Sequence, residues 1–124
     1  GSFLLVTGSN MSGKSTLMRA VGVNVVLAQA GGPVCAASMS MPPTRLGAAF
    51  VIEDSLEDGI SYFMAELRRL KEIVDEAHAS SGGGSRYMFL LDEILKGTNS
   101  GERQIAVRRI LQELLDSGAS GAVS

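Results

Sequence analysis

The residues with the clearest chemical potential stand near the start of the chain. They read Gly8-Ser9-Asn10-Met11-Ser12-Gly13-Lys14-Ser15 and match the pattern G-x-x-x-x-G-K-[ST]. Glycines at these positions let the backbone curl, so that several N–H groups point at phosphate oxygens. We expect Lys14 to reach the β- and γ-phosphates, Ser15 to ligate Mg²⁺ and Thr16 to touch the α-phosphate. This segment therefore predicts a site for ATP with Mg²⁺.

The neighbouring sequence favours this interpretation over an ordinary glycine-rich turn. Phe3 to Thr7 form an apolar run typical of a buried parallel strand. Lys14 to Ala30 carry spaced apolar residues and stop at Gly31-Gly32-Pro33, which predicts a helix. A strand before the loop and a helix after it are the context that phosphate binding requires, because the helix start favours anions.

An acidic pair, Asp92-Glu93, follows a second apolar run at Tyr87 to Leu91. In phosphate-loop ATPases an aspartate at a strand end holds the Mg²⁺ shell. A neighbouring carboxylate can orient the attacking water or accept its proton, the role we expect for Glu93. Two solvated charges at a strand end are the alternative. We prefer the catalytic interpretation because strand ends of a parallel sheet gather around the nucleotide.

The remaining pattern predicts an α/β fold with a mainly parallel sheet flanked by helices, within one domain. Ser61 to Ala79 are the clearest helix, with an apolar stripe along one side, and Glu102 to Leu115 form another. Residues 33–48 show no clear period, so no regular element is predicted there. Gly121 to Ser124 begin another apolar segment, and we expect the chain to be truncated inside its sheet.

Composition narrows the class of protein. The net charge of −2 gives no basic footprint for nucleic acid, and no apolar run is long enough for a membrane span. A single cysteine, Cys35, allows no internal disulfide, which fits a cytoplasmic location. We expect Cys35 to be a buried small residue and the lone histidine, His78, to be a surface residue of its helix.

Four segments together resemble the ATPase domain of the MutS family of DNA mismatch-repair proteins. They are Thr7 to Thr16, Thr44 to Ala48, Gly59 to Glu66 and Leu90 to Ser100, and they occur in the family's order. The resemblance covers nearly all of the chain. It implies a phosphate-loop NTPase of the ABC type over residues 1–124, with a Walker A segment at 8–16, a signature-like segment at 59–66, a Walker B segment at 87–93 and a D-loop-like segment at 96–100.

The resemblance also implies roles at a dimer. Ser61 would reach the partner's γ-phosphate across a homodimer formed through this domain, whereas an N-cap serine is the simpler interpretation. Thr98, Asn99 and Ser100 would lie at that interface, whereas a polar turn that caps the next helix is the alternative. DNA would be held by regions outside this chain.

Some positions depart from the mismatch-sensing members. Leu95-Lys96 stand where those members have glycine-arginine, and the segment from Phe50 to Asp58 is longer. Both features place the chain closer to the MutS-related branch. The family's switch histidine is expected just after Ser124, and His78 is no substitute for it.

These observations lead to one prediction and two alternatives. We predict Mg²⁺-dependent ATP hydrolysis that drives a dimeric DNA-repair clamp, with Lys14, Glu93 and Ser61 as catalytic residues and a weakly active or inactive isolated fragment. An ABC-type or chromosome-maintenance ATPase is one alternative, although its LSGG-like signature is missing. A nucleotide-responsive binding module without turnover is the other.

Overall fold

Strands and helices alternate along the chain in a computed structural model that describes residues 1–9, 13–50 and 59–124. The elements occur in the order β1 (Ser2–Leu5), α1 (Lys14–Gln29), β2 (Thr44–Ala49), α2 (Gly59–Ser80), β3 (Arg86–Leu91), α3 (Ser100–Asp116) and β4 (Ser120–Val123). This alternation confirms the predicted α/β class. In the described residues, no helix is both long and apolar enough to cross a membrane.

The four described strands form one parallel sheet in the order β1-β4-β3-β2. The last of them, β4, pairs with β1 on one side, where Ser2 faces Ser120, and with β3 on the other, where Met88 faces Ser120. Because all strands run the same way, their carboxyl ends meet at one edge of the sheet. That edge receives the loop after β1, the acidic pair after β3 and Ser124 after β4.

Helices cover both faces of the sheet. Side chains alternate along β3, so that Phe89 and Leu91 enter the core shared with α2 and α3. Leu90 points to the other face, where a Cβ added at Gly22 of α1 would lie 3.0 Å from its Cδ1 atom. The predicted α2 stripe is confirmed: its members lie in or against this core, namely Phe63, Leu67, Leu70, Val74 and Ala77.

Two sequence predictions about strands were wrong. The strand β2 (Thr44–Ala49) begins within residues 33–48, where no regular element was predicted; it forms directly after Pro42-Pro43, and Arg86 N donates to the Pro43 carbonyl at 3.0 Å. The first strand, predicted to be buried on both faces, is exposed at all four positions. The reason is its place at the end of the described sheet, because the described helices pack mainly on β2 and β3.

Candidate functional site

The candidate site forms where α1 begins beside the carboxyl ends of β3 and β4. The Ser15 hydroxyl donates a hydrogen bond of 2.6 Å to Oδ2 of Asp92. Asp92 is only 2% exposed although it is an acidic residue, and Ser15 is half-buried. The structure therefore brings together two residues that the sequence assigned to Mg²⁺.

A third residue completes the surroundings of this carboxylate. The Ser124 hydroxyl donates to Oδ1 of Asp92, so both carboxylate oxygens carry a hydrogen bond. The backbone fixes the same arrangement, because Asp92 N donates to the Ala49 carbonyl and Ser124 N donates to the Leu91 carbonyl, both at 2.9 Å. The buried Asp92 carboxylate thus accepts hydrogen bonds from two hydroxyl groups. A buried carboxylate requires such hydrogen bonds, because burial removes it from water.

The start of α1 is shaped by Gly13. This N-cap residue has φ of 90°, a left-handed conformation that disfavours any residue with a Cβ. A Cβ here would meet nothing within 4 Å, so the backbone angle and not space selects glycine. Among the described residues, no side chain caps this helix. The first turn of any helix carries N–H groups without partners inside the helix, and these favour an anion.

The rest of the predicted phosphate loop is described in part. Lys14 is half-buried in the first turn of α1, beside Ser15, and Thr16 is exposed. Gly8 and Ser9 are exposed after β1. The predicted contacts of Asn10, Met11 and Ser12 fall on residues 10–12, which lie outside the described residues.

Glu93 lies beside Asp92 in an uncommon backbone conformation. Its φ is 49°, in the left-handed region, and Leu95 two residues later has φ of 59°. The Glu93 side chain is 25% exposed, and its Oε2 accepts a bond of 2.7 Å from Nζ of Lys96. The structure therefore places the predicted base next to the predicted metal-binding carboxylate, with a lysine within contact distance.

Two segments were expected at a dimer interface, one at Ser61 and one from Thr98 to Ser100. Ser61 lies in α2, which begins at Gly59, but its side chain is outside the described part of the chain. Asn99 caps α3, because its Oδ1 accepts from Glu102 N at 2.9 Å, and Thr98 donates to the Glu102 carboxylate at 2.7 Å. The structure therefore contains a polar turn that caps α3, and the place of Thr98, Asn99 and Ser100 at a dimer interface stays a prediction.

Two further residues test the sequence expectations. His78 lies on the exposed surface of α2, as predicted, with its Nε2 3.0 Å from Oε2 of Glu113. Cys35 is exposed, so the prediction of a buried small residue was wrong. It lies outside the strands and helices, and its backbone N–H donates to Oδ1 of Asn24 at 2.7 Å on the surface of α1.

Sequence reasoning missed three residues that bear on the site: Ser124, Lys96 and Glu66. Ser124 could have been found, because it directly follows a strand and strand ends gather at the site. In the sequence, Lys96 stood out only because it departs from the glycine-arginine of the mismatch-sensing members. Glu66 Oε1 accepts from Leu95 N at 2.5 Å, a contact between distant parts of the chain that no local pattern encodes.

The fold and site define an α/β domain whose oxygen-donor residues gather at the carboxyl edge of a parallel sheet. Comparison with known families gives a match to MutS domain V over residues 4–121. The chain therefore belongs to this family.

Curated relatives agree with this assignment. The chain is 36% identical over 122 residues to "Endonuclease MutS2" of Thermus thermophilus, which covers 98% of this chain and 16% of that protein. It is 37% identical over 119 residues to "DNA mismatch repair protein MutS" of Shouchella clausii, covering 92% of this chain and 12% of that protein. A MutS protein of Methanococcoides burtonii is 37% identical over 127 residues, covering 98% of this chain and 13% of that protein.

The chain spans only about a sixth of the length of MutS2 and less of the MutS proteins. The expectation of a place closer to the MutS-related branch was wrong, because relatives named MutS and MutS2 match at nearly equal identity, 37% and 36%. The departures at Leu95 and Lys96 therefore do not assign a branch.

Proposed function

We propose that this chain binds ATP with Mg²⁺ and hydrolyses it, as the phosphate-loop ATPase module of a MutS-type DNA-repair protein. The observation that carries the proposal is the hydrogen bond of 2.6 Å between Ser15 and the buried Asp92. Two residues from the predicted phosphate loop and the predicted acidic strand meet there, and family membership supports the same role.

The donor set fits Mg²⁺. This ion prefers oxygen ligands and is usually held by one or two protein groups plus substrate phosphates, not by a cage made wholly of protein. Ser15 supplies a hydroxyl oxygen and Asp92 a carboxylate. When bound, Mg²⁺ neutralises charge that develops on the phosphates.

The chain's own residues take the other roles. The first turn of α1 and Lys14 hold the phosphate oxygens, together with the segment 8–16. Glu93 orients the attacking water and accepts its proton, and its neighbour Asp92 remains with the metal. ADP and phosphate are the products. The segments 59–66, 87–93 and 96–100 serve as signature-like, Walker B and D-loop-like parts of residues 1–124.

The wider role rests on the family. The complete protein forms a homodimer through this domain, and Ser61 contacts the γ-phosphate bound by the partner. Regions outside this chain hold DNA, in agreement with a net charge of −2 here. Relatives named for mismatch repair and as an endonuclease support a role in DNA repair.

Nucleotide binding by the complete protein is the test. A fluorescent ATP analogue is titrated with Mg²⁺ against the wild type, Lys14→Ala and a matched control, Lys71→Ala. Lys71 is a 74% exposed lysine on α2 that pairs with Asp75, away from the site. We expect Lys14→Ala to abolish or severely weaken binding because the cation aimed at the β- and γ-phosphates is lost. Equal affinity of all three proteins would refute the phosphate-loop assignment.

A further inference from the structure

The turn that follows the acidic pair holds a backbone conformation that its sequence does not favour. Glu93 and Leu95 both have left-handed φ values, 49° and 59°, although each carries a Cβ. Such residues persist only where surrounding contacts hold them, and they concentrate at functional sites. Something outside the turn must therefore fix it.

The contacts that hold the turn come from the end of β4, where Glu93 N donates to the Ser124 carbonyl at 3.4 Å, and from two helices. From α2, the Glu66 carboxylate accepts from Leu95 N at 2.5 Å. From α3, Nε of Arg103 donates to the Ile94 carbonyl at 2.8 Å. The side chains of Ile94 and Leu95 are 3% and 1% exposed, so this part of the turn is enclosed by protein.

The α2 side of this enclosure extends over one helical turn. Phe63 lies three residues before Glu66, on the same side of the helix. A Cβ added at Gly97 would lie 3.2 Å from Cδ2 of Phe63. The turn from Glu93 to Gly97 therefore packs against one stretch of α2. Within that stretch, the Glu66 carboxylate accepts a hydrogen bond from the turn.

We propose that Glu66 is the positioning residue for the Glu93 carboxylate; this inference rests on the proposed ATPase function. A hydrogen bond to a carboxylate is stronger than a neutral one, and its loss would leave the Leu95 N–H enclosed without an acceptor. The turn would then relax toward ordinary backbone angles and carry the Glu93 side chain with it. A displacement of about 1 Å at a catalytic group can cost about 10²-fold in rate.

Lys96 does not replace this support. Its side chain is 51% exposed, and exposed ion pairs such as that with Glu93 hold geometry weakly. Lys96 also lies within the turn itself, so it moves when the turn moves. Glu66 is anchored on a separate helix and acts on the backbone, which sets the direction in which the Glu93 side chain leaves the chain.

Four variants of the complete protein test the inference. Glu66→Met preserves approximate length but offers only a weak sulfur acceptor, and Glu66→Gln retains an amide oxygen. Glu66→Asp keeps the charge on a side chain too short to reach Leu95. Glu72→Met removes a 63% exposed glutamate from the same helix and serves as the matched control.

Three measurements are compared: single-turnover ATP hydrolysis, the Kd of an ATP analogue, and hydrogen exchange of the Leu95 amide in nucleotide-free protein. We expect Glu66→Met and Glu66→Asp to slow hydrolysis at least about tenfold with Kd within about twofold, and to speed exchange at Leu95. Glu66→Gln and Glu72→Met should retain near-wild-type hydrolysis and exchange.

The outcomes separate the two proposals. If the wild type does not hydrolyse ATP, the proposed function is wrong, and the role of Glu66 in hydrolysis is wrong with it. If the wild type is active and either Glu66→Met or Glu66→Asp is equally active, the positioning role alone is refuted. Parallel losses of hydrolysis and affinity would also refute it, since they indicate general damage to the site. Should Glu66→Met fail to fold, Glu66→Asp decides.

Discussion

The Ser15 hydroxyl and the Asp92 carboxylate are 2.6 Å apart, although 77 positions separate them in the chain. The first belongs to the helix after β1 and the second follows the end of β3, so they meet through the packing of separate elements. Their contact joins the two segments that sequence patterns had assigned to one chemical task.

Substitution of Ser15 should remove the benefit of Mg²⁺ for ATP binding. In Ser15→Ala the hydroxyl oxygen is lost, so Asp92 is the remaining predicted protein ligand. We expect ATP-analogue affinity with Mg²⁺ to fall to the value measured with EDTA. Ser15→Thr keeps a hydroxyl and should behave like the wild type. A full Mg²⁺ effect in Ser15→Ala would place the metal elsewhere.

Glu93→Gln should bind Mg·ATP normally and hydrolyse it far more slowly. The amide has nearly the same shape but cannot take up a proton at neutral pH, and loss of a general base costs about 10²- to 10⁴-fold. Single-turnover hydrolysis is the appropriate measurement, because product release can limit the steady state. Glu72→Gln is the exposed control. A near-normal chemical step in Glu93→Gln would assign the base to another residue.

The role of Ser61 is tested with mixed dimers of the complete protein. The wild type is paired with a Lys14→Ala, Ser61→Ala double variant, and heterodimers are purified with two tags and confirmed by mass. Only the wild-type loop can then bind ATP, and it faces a partner without Ser61. We expect loss of about 10²-fold or more in hydrolysis, since a donor to the γ-phosphate is gone. Full activity would mean that Ser61 does not act across the dimer.

Gly47→Ala should destabilise the domain, and the destabilisation should be smaller when Tyr87→Phe is present as well. A Cβ at Gly47 would lie 2.0 Å from the Tyr87 hydroxyl oxygen and 2.9 Å from Cζ. We expect a loss of about 1–3 kcal/mol in the free energy of unfolding. In the Tyr87→Phe background the nearest atom is absent, so the loss should be smaller. Additive effects in a denaturant-based double-mutant cycle would contradict this contact.

Tyr87 should also make stability depend on alkaline pH. Burial raises the pKa of its phenol above the ordinary value, and a hydrogen bond of 2.8 Å to the Glu76 carboxylate raises it further. The folded state therefore binds this proton more tightly than the unfolded state. The contribution of this proton to the free energy of unfolding is complete below about pH 10, the pKa of tyrosine in the unfolded state. It is lost as pH rises toward the folded pKa. In Tyr87→Phe, the free energy of unfolding should fall less steeply with pH above about pH 10. An unchanged slope of that free energy against pH would mean that other groups cause the fall.

The sequence predicted the parts of the fold that local patterns encode. The stripe on α2, the apolar run of β3 and the meeting of Ser15 with Asp92 follow from periodicity and from the geometry of parallel sheets. The strand β2 was missed because Thr44 to Ala49 alternate poorly and become a strand through pairing with β3. Glu66 and the left-handed turn at Glu93 were missed for the same kind of reason, since both depend on contacts between residues far apart in the sequence.

The central place of β4 has a consequence for how the domain folds. β1 and β3 do not pair with each other; each pairs with β4, and Ser2 finds its partner at Ser120. The ribosome makes β1, α1, β2 and β3 before β4, the strand that joins β1 to the others. Pairing of parallel strands that lie far apart in the sequence is slow, because loop-closure entropy is lost before the stabilising contacts form. Until β4 inserts, β1 lacks the strand with which it pairs in the described sheet. The pairing of β1 is therefore a late event of synthesis, and slow insertion of β4 would prolong the time in which the unpaired N–H and C=O groups of β1 can pair with other nascent chains.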